Sequence, residues 1–343
     1  MGDIIVLEYA LNCYGFEGAG ITDINSGSNK VYKIRKGGRN FYLRISKRGY
    51  DYVAAEIDWI LFLKGEISAP ELLKSKNGRL LETYTDSGQA YVICAFYELP
   101  GVYWDKNDPA LWNENVFYSW GATMGKMHRL TKEYRPPGKA SARPRCEDSL
   151  LPAEFFKNYP TVRAKLERIR DETLALPKDA DSYGLIHSDM HQQNILIDGS
   201  GISVLDFDDC RYGFFSLDIG IALYHAVWWG LPDACGSKNG FALSIINNFM
   251  AGYGAQNKLS RFWRKKIFMF MLYRQIDALS WHLNYFKPKS IDETVYNDCF
   301  KIYFDFRKHI EYIEKDIFFD GCTINENVFS GGGRPGAVVP TRH

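Results

Sequence analysis

The most informative part of the sequence runs Leu185-Ile186-His187-Ser188-Asp189-Met190-His191-Gln192-Gln193-Asn194-Ile195-Leu196-Ile197 and continues, after a turn, with Val204-Leu205-Asp206-Phe207-Asp208-Asp209. Two apolar runs, Ile195–Ile197 and Ile202–Leu205, flank Asp198-Gly199-Ser200-Gly201, which is a strong turn signal. They are therefore predicted to pair as a β-hairpin. Counting outward from the turn sets Asn194 next to Asp206 at one end of the hairpin, with side chains about 5 to 8 Å apart.

This pairing predicts a site for a hard cation. A carboxylate, an amide oxygen and the phosphates of a substrate form the sparse, oxygen-only site that Mg²⁺ prefers. Asp189 lies five residues before Asn194 on the preceding loop. It would sit beside such a metal without having to be a ligand, and it is therefore placed to accept a proton.

The two parts of the chain differ in their periodicity. The first part alternates short apolar runs with Gly, Asn and Asp, which predicts antiparallel strands over 20–26, 30–36, 41–46, 71–75, 79–85 and 89–97, with one helix over 50–65. From residue 108 the long segments are helical, over 108–132, 152–176, 216–229, 238–254, 259–285 and 290–316. We expect an α+β protein with a β lobe over 1–98, a hinge over 99–101, a helical lobe over 102–325 and a disordered tail over 326–343.

The spacing His-x-Asp-x-x-x-x-Asn followed by Asp-Phe-Asp is the one that kinase-type phosphoryl-transfer enzymes use. With these motifs the sequence resembles the aminoglycoside phosphotransferase and choline kinase-like family of small-molecule kinases, over roughly residues 20–230. The resemblance implies a bilobal protein-kinase-like fold, with nucleotide bound by the β lobe and catalysis and substrate binding in the helical lobe. It also implies ATP and Mg²⁺.

The resemblance assigns roles residue by residue. Asp189 would be the catalytic base on the acceptor hydroxyl, and Asn194 and Asp206 would bind magnesium. His187 would brace the catalytic loop, and Asp218 would hold that loop from beneath.

Two residues of the β lobe provide a separate check. A kinase needs a cation on its third strand, paired with an acid on the following helix. Arg44 is the candidate cation, and Glu56 occupies the buried stripe of the helix, where an unpaired carboxylate would be costly. We predict that they pair and contact the nucleotide phosphates, since guanidinium binds phosphate bidentately. A plain structural salt bridge is the alternative.

Two further segments are candidates for nucleotide contact. The loop between the first two strands carries Gly27, Ser28 and Asn29, which would cover phosphates, although a simple hairpin turn explains it almost as well. By the same family resemblance, the backbone groups of Tyr97 and Leu99 would bind adenine. An ordinary central strand is the alternative for that segment.

The acceptor is less well defined. Only eleven residues separate Asp206 from Asp218, which leaves no room for an activation loop, so a protein substrate is disfavoured. Candidate acceptor residues are aromatic or acidic: Asp208, Asp209, His225, Trp228 and Trp281. The aromatic ones could stack on an amine, but core packing explains such residues more often, and Asp208 and Asp209 could instead pair with Arg211.

The composition limits the partners. Forty-two Lys and Arg against forty-one Asp and Glu give a net charge of +1, and we find no nucleic-acid-binding motif and no apolar segment of membrane-spanning length. The seven cysteines are scattered without a Cys-x-x-Cys pair, which favours a reducing cytoplasm. We therefore expect a cytoplasmic protein without nucleic-acid or membrane partners. The oligomeric state and the choice between ATP and GTP stay open.

The sequence thus predicts an ATP-dependent phosphotransferase that modifies a hydroxyl of an amino sugar, amino alcohol or hydroxy amino acid. A protein serine/threonine kinase of the stress-kinase type is the alternative. A metal-dependent phosphohydrolase is a weaker alternative; it is suggested by Asp189-Met190-His191, which could also be read as an Asp-x-His pair of metal ligands. A nucleotide-binding pseudoenzyme is disfavoured by the intact Asp189, Asn194 and Asp206.

Overall fold

The computed structural model describes residues 2–24, 29–137, 143–199, 201–286, 306–315, 318 and 324–330. The chain divides into two compact units. The first, which we call the β unit, comprises residues 1–102, 133–144 and 196–210. The second, the helical unit, comprises residues 103–132, 145–195 and 211–343.

The β unit is built on an antiparallel sheet. Its strands are β1 (Gly20–Asp23), β2 (Lys30–Lys36), β3 (Arg39–Ser46), β4 (Leu72–Leu73), β5 (Glu82–Asp86) and β6 (Gln89–Tyr97). They are arranged in the order β1-β2-β3-β6-β4, with β5 also paired to β6. In this register Arg44 of β3 faces Cys94 of β6. The strand pattern of the sequence is confirmed, with ends shifted by a few residues.

Two helices belong to this unit, α1 (Gly2–Cys13) and α2 (Tyr50–Leu63). The sequence predicted only α2, and α1 is a correction. The consecutive apolar residues Ile4, Ile5 and Val6 hide its helical period, because the first two are exposed and only Val6 is buried. Val6, Ala10 and Cys13 pack into the same core as the sheet residues Ile34, Leu43 and Ile93.

The helical unit contains α3 (Glu114–Thr131), α4 (Pro160–Ala175), α5 (Phe215–Trp229), α6 (Lys238–Gln256), α7 (Arg261–Phe286) and α8 (Phe306–Lys315). Strands β8 (Tyr183–Ile186) and β11 (Arg211–Phe214) pair antiparallel in it. Most of the helix predicted over 290–316 lies outside the described residues. Glu326–Phe329, which the sequence assigned to the tail, form a short 3-10 helix in which Phe329 is buried, and residues 331–343 lie outside the described residues.

A small sheet in the order β10-β9-β7 contains the predicted hairpin, with β7 at Val102–Tyr103, β9 at Ile195–Asp198 and β10 at Gly201–Val204. The pairing of β9 with β10 is therefore confirmed. Gly101 has φ +114°, and a Cβ there would lie 2.9 Å from the carbonyl oxygen of Ile197. Only glycine allows the chain to pass this close to β9.

Close packing of α3 on α6 supports the site from within the helical unit. A Cβ on Gly121 would lie 1.8 Å from the carbonyl oxygen of Phe249, and a Cβ on Gly252 would lie 1.9 Å from that of Tyr118. These glycines let the two helix backbones touch, which brings His128 of α3 within 3.0 Å of the Tyr253 hydroxyl of α6. Among the helices that the structure describes, none is both long and apolar enough to span a membrane.

Candidate active site

The predicted base lies on the loop of residues 187–194, which we call the Asp189 loop. Hydrogen bonds between residues of this loop hold it in a turn. The amide of His191 donates to the backbone carbonyl of Asp189 at 2.8 Å, and the last three residues form a short 3-10 helix, Gln192–Asn194. The Asn194 side-chain nitrogen donates to the Asp189 carbonyl at 2.9 Å and to its carboxylate at 3.3 Å. The loop therefore holds the amide and the carboxylate side by side.

Asp218 lies under this loop at the start of α5. Its carboxylate accepts the backbone N–H groups of Ser188 at 2.7 Å and of His187 at 3.1 Å. Ser188 has φ +69°, a left-handed conformation that costs a non-glycine residue about 1 to 3 kcal/mol and needs such support. His187 is buried, and its Nδ1 accepts the Asp189 N–H at 3.3 Å. Both side chains therefore contact the backbone of the loop, and their bracing roles stay predictions.

A buried histidine missed by the sequence analysis completes the support. His128 Nε2 lies 3.0 Å from the Asp218 carboxylate, and its Nδ1 faces Tyr253, whose hydroxyl accepts from Asn257 at 2.9 Å. The Asp218 carboxylate can only accept, so Nε2–H of His128 donates to it, and the Tyr253 hydroxyl has one proton of its own. Burial raises the pKa of Tyr253, so its phenol keeps that proton.

Asp189 itself is held by an arginine that the sequence analysis did not single out. Arg274 of α7 donates from Nη2 to the Asp189 carboxylate at 2.7 Å and from Nη1 to Asp277 at 2.9 Å. Its Nε donates to Nε2 of His225 at 3.0 Å. The Arg274–Asp277 pair has helical i,i+3 spacing that a sequence can show, but the contact across 85 residues to Asp189 cannot be seen there.

The charges of this group favour ionised Asp189 and neutral His225. Burial alone would raise the pKa of the Asp189 carboxyl, but Arg274 and His191 more than offset it, so the pKa lies well below its usual range. Burial first, and then Arg274, lower the pKa of His225 well below its ordinary value. A neutral His225 is also what its role as acceptor from Arg274 requires.

In the β unit, Arg44 and Glu56 form the predicted pair. Both terminal nitrogens of Arg44 donate to the Glu56 carboxylate at 2.8 Å, and both side chains are buried. Burial would lower the pKa of Arg44, but Cys94 and Glu56 raise it above the ordinary value, so the guanidinium stays charged. Among the described residues Arg44 Nε has no hydrogen-bond partner, although it is buried.

The segment after β10, Asp206–Cys210, begins with an exposed residue and continues with two buried ones; we call it the Asp206 loop. Asp206 is exposed and has φ +51°, whereas Phe207 is fully buried with its ring centroid 5.4 Å from that of Trp59. Asp208 and Asp209 ion-pair with Arg48 at 3.2 and 3.4 Å. Arg211, which the sequence offered as their alternative partner, donates to Ser149 at 2.7 Å.

The residues present fit a divalent cation of the magnesium type. The Asn194 amide nitrogen is committed to Asp189, so its oxygen is the atom that remains for a metal. Along the chain, Asn194 directly precedes β9 and Asp206 follows β10 by two residues. Strands β9 and β10 are neighbours in the sheet. The described residues contain no group of three His, Cys, Asp or Glu that could hold a metal.

The remaining predicted nucleotide contacts are only partly described. Gly27 and Ser28 lie outside the described residues, and Asn29 is buried at the start of β2. The backbone N–H of Tyr97 donates to the Glu71 carbonyl at 2.9 Å, so adenine could use it only by replacing that bond. Leu99 follows β6 and is half-buried.

The predicted acceptor residues separate into two groups. His225 lies in the Arg274 network, and its ring centroid is 4.9 Å from that of His191. Trp281 is exposed on α7, one turn beyond Asp277. Trp228 is half-buried, and its ring packs against those of Tyr224 and Tyr312.

An α+β fold with a braced Asp-x-x-x-x-Asn loop and a buried arginine–glutamate pair is that of a kinase-like phosphotransferase. The chain belongs to the phosphotransferase enzyme family, whose model matches residues 20–247. It is accordingly a small-molecule phosphotransferase that acts on an alcohol group, and the predicted family and fold class are confirmed.

Individual relatives agree with this assignment. The chain is 32% identical to amicoumacin kinase of Bacillus subtilis (strain 168) over 267 residues, which cover 75% of this chain and 78% of that protein. The structure of amicoumacin kinase hAmiN in complex with AMP-PNP, Ca²⁺ and Ami matches with a TM-score of 0.80 at 26% identity, covering 93% of this chain and 96% of that one. A microcompartment-associated aminopropanol kinase shares the fold at 20% identity and a TM-score of 0.65, covering 92% and 95%.

Proposed function

We propose that this protein transfers the γ-phosphate of ATP to a hydroxyl group of a small molecule that also carries an amine. The observation that carries the proposal is the bonded pair in the Asp189 loop, where Asn194 faces the Asp189 carboxylate at 3.3 Å. This contact supports the proposal, because phosphoryl transfer to a hydroxyl needs a base and a metal-binding group close together.

Asn194 and Asp206 are the proposed ligands of a divalent metal, with Mg²⁺ as the cation. The metal would neutralise charge on the phosphates of the nucleotide. A related amicoumacin kinase binds AMP-PNP and Ca²⁺, which supports a nucleoside triphosphate and a divalent cation here. The exposed carboxylate of Asp206 and the remaining amide oxygen of Asn194 are the hard oxygen donors that such a cation takes.

The protein's own groups have separate tasks in this proposal. Asp189 accepts a hydrogen bond from the acceptor hydroxyl, orients it and takes its proton as the hydroxyl oxygen bonds to the γ-phosphorus and the bond from that phosphorus to the departing ADP breaks. Arg44, held by Glu56, keeps one edge of its guanidinium, with the unpartnered Nε, for a phosphate oxygen. Asp218 and His187 fix the base, and Asn29, Tyr97 and Leu99 are kept as proposed nucleotide contacts together with Gly27 and Ser28.

The proposed amine is supported by two side chains of α7, Asp277 and Trp281. Asp277 is a partly exposed carboxylate that reaches Asp189 through one arginine, and the exposed ring of Trp281 lies one helical turn further. A carboxylate beside an aromatic face stabilises an ammonium group. An amino sugar, amino alcohol or hydroxy amino acid would meet this arrangement.

The test is to incubate the protein with γ-labelled ATP, MgCl₂ and a panel of amino sugars, amino alcohols and hydroxy amino acids, with amine-free alcohols of matched size as controls. We expect label on at least one amine-bearing acceptor and little on its amine-free counterpart. Release of inorganic phosphate alone would favour the phosphohydrolase, and label on serine or threonine of an added protein would favour the protein kinase. Either result would contradict the proposal.

A further inference from the structure

One buried cation of the β unit has no part in the chemistry described so far. Arg143 has 4% of its surface exposed. Its Nε donates to the backbone carbonyl of Cys210 at 2.6 Å, and its Nη1 donates to the carbonyl of Tyr52 at 3.1 Å. Its Nη2 donates to the carbonyl of Asp208, and its guanidinium carbon lies 3.8 Å from the centroid of the Tyr52 ring. Each of these hydrogen bonds therefore ends on the main chain.

The partners of Arg143 belong to two elements of the nucleotide site. Asp208 and Cys210 belong to the Asp206 loop, and Tyr52 lies on α2, one turn before Glu56. The planar fork of a guanidinium fixes the relative position of the carbonyls it bridges, which a flexible ammonium does not. Arg143 therefore ties the loop that carries Asp206 to the helix that positions Arg44 through Glu56.

The backbone of Asp206 needs such a constraint. With φ +51° it occupies a left-handed conformation that persists in a non-glycine residue only where the surroundings determine it. Phe207 is buried against Trp59 of α2 on one side of the loop, and the contacts of Arg143 begin at the next residue, Asp208. Together they leave the Asp206 carboxylate on the exposed side.

We infer that Arg143 is a positioning residue for metal-dependent nucleotide binding, which it serves by fixing the Asp206 loop against α2. The inference rests on the proposed function, because it takes Asp206 as a metal ligand. Groups that orient a metal ligand without touching the metal typically change metal affinity or activity by about 10- to 100-fold. Arg143 holds the ligand's main chain, so its loss should weaken binding in the presence of metal and leave metal-free binding unchanged.

The experiment is calorimetric titration of AMP-PNP into the full-length protein, once with MgCl₂ and once with EDTA. The variants are Arg143→Gln and Arg143→Lys, and the matched control is Arg145→Gln, because Arg145 is exposed two residues away. For Arg143→Gln we expect the dissociation constant with Mg²⁺ to rise by about 10- to 100-fold and the constant in EDTA to stay at the wild-type value. Arg143→Lys should recover only part of the loss, because one ammonium cannot bridge the same carbonyls.

Circular dichroism and thermal melting check that the variants fold. An unchanged affinity in the presence of Mg²⁺ would overturn the inference. An equal loss of affinity with and without Mg²⁺, or failure of both Arg143 variants to fold, would also overturn it, because Arg143 would then have a purely structural role. Wild-type protein that binds AMP-PNP no better with Mg²⁺ than with EDTA would instead overturn the proposed metal site. The two failures are therefore distinguishable.

Discussion

The Asp189 loop and the Asp206 loop are held in different ways. The Asp189 loop is held by ionisable side chains. Asp218 accepts hydrogen bonds from its backbone amides, and Arg274 donates to the Asp189 carboxylate. The Asp206 loop is held through its own carbonyls, which accept from Arg143, and through the ion pairs of Asp208 and Asp209 with Arg48. The first arrangement sets the charge and direction of the proposed base, whereas the second sets where the proposed metal ligand lies. Changes in the first should therefore alter turnover, and changes in the second should alter metal-dependent binding.

The largest effect is expected for Asp189→Asn. The amide keeps the size of the side chain but cannot accept the proton, so kcat should fall by about 100-fold or more, the range for loss of a general base. The dissociation constant of the nucleotide should change little. Steady-state kinetics and calorimetry measure the two quantities, with Asp198→Asn as the control because Asp198 is exposed at the hairpin turn. Unchanged turnover would remove Asp189 from this role.

Glu56→Gln tests the helix to which Arg143 ties the Asp206 loop. It leaves the buried Arg44 without its carboxylate, and breaking a buried pair in this way costs about 3 to 5 kcal/mol of stability. Glu71→Gln is the matched control, because it breaks an exposed pair with Lys64 that is expected to contribute at most about 1 kcal/mol. Urea unfolding measures both, and equal losses would contradict the structural account of Arg44 and Glu56.

Arg274→Ala tests the support of the base. Without the guanidinium, Asp189 loses its 2.7 Å contact and Asp277 loses its partner on α7. Misplacement of a reacting group by about 1 Å can cost up to about 100-fold in rate, so we expect kcat to fall by about 10- to 100-fold with an unchanged affinity for AMP-PNP. Arg274→Lys should recover part of the turnover. A fall in nucleotide affinity without a fall in kcat would reverse the comparison between the two loops.

The smallest effect concerns the pH dependence of stability through His225. Its pKa in the folded protein lies well below the ordinary value of 6.5, mainly because of burial and then because of Arg274. Between pH 6.5 and this lower pKa, the unfolded chain takes up a proton at His225 and the folded protein does not. As the pH falls through this window, the free energy of unfolding therefore decreases by up to about 1.4 kcal/mol per pH unit. Urea unfolding at two pH values should show a smaller acid loss in His225→Gln, whose amide oxygen can still accept from Arg274. Equal losses would show that His225 protonates normally.

The parts of the fold that the sequence predicts well are those set by local pattern. Two apolar runs and the turn at Asp198–Gly201 predict the β9–β10 pairing, and the periodicity of 50–65 predicts α2. In α1, by contrast, the apolar residues cover more than one face, so no period distinguishes the helix.

The side chains that hold the site in place are harder to predict, because distance along the chain hides them. The predicted burial of Glu56 implied a cationic partner, because an unpaired buried carboxylate is costly, and Arg44 was the candidate cation. The sequence around Arg274 and Arg143 contains no comparable indication of their partners. Their partners lie far along the chain, and those of Arg143 are backbone carbonyls, which any residue could supply. The roles of Asn194, Asp206 and the adenine contacts stay predictions.

Metal dependence of nucleotide binding in Asp206→Asn is the most direct test of the central claim, that Asn194 and Asp206 hold a divalent cation for a base at Asp189. AMP-PNP is titrated into wild-type and variant protein with MgCl₂ and with EDTA. The account predicts that wild-type affinity is higher with Mg²⁺ and that this gain is lost in Asp206→Asn, while the affinity in EDTA is the same for both proteins. A variant that keeps the full gain from Mg²⁺ would contradict it.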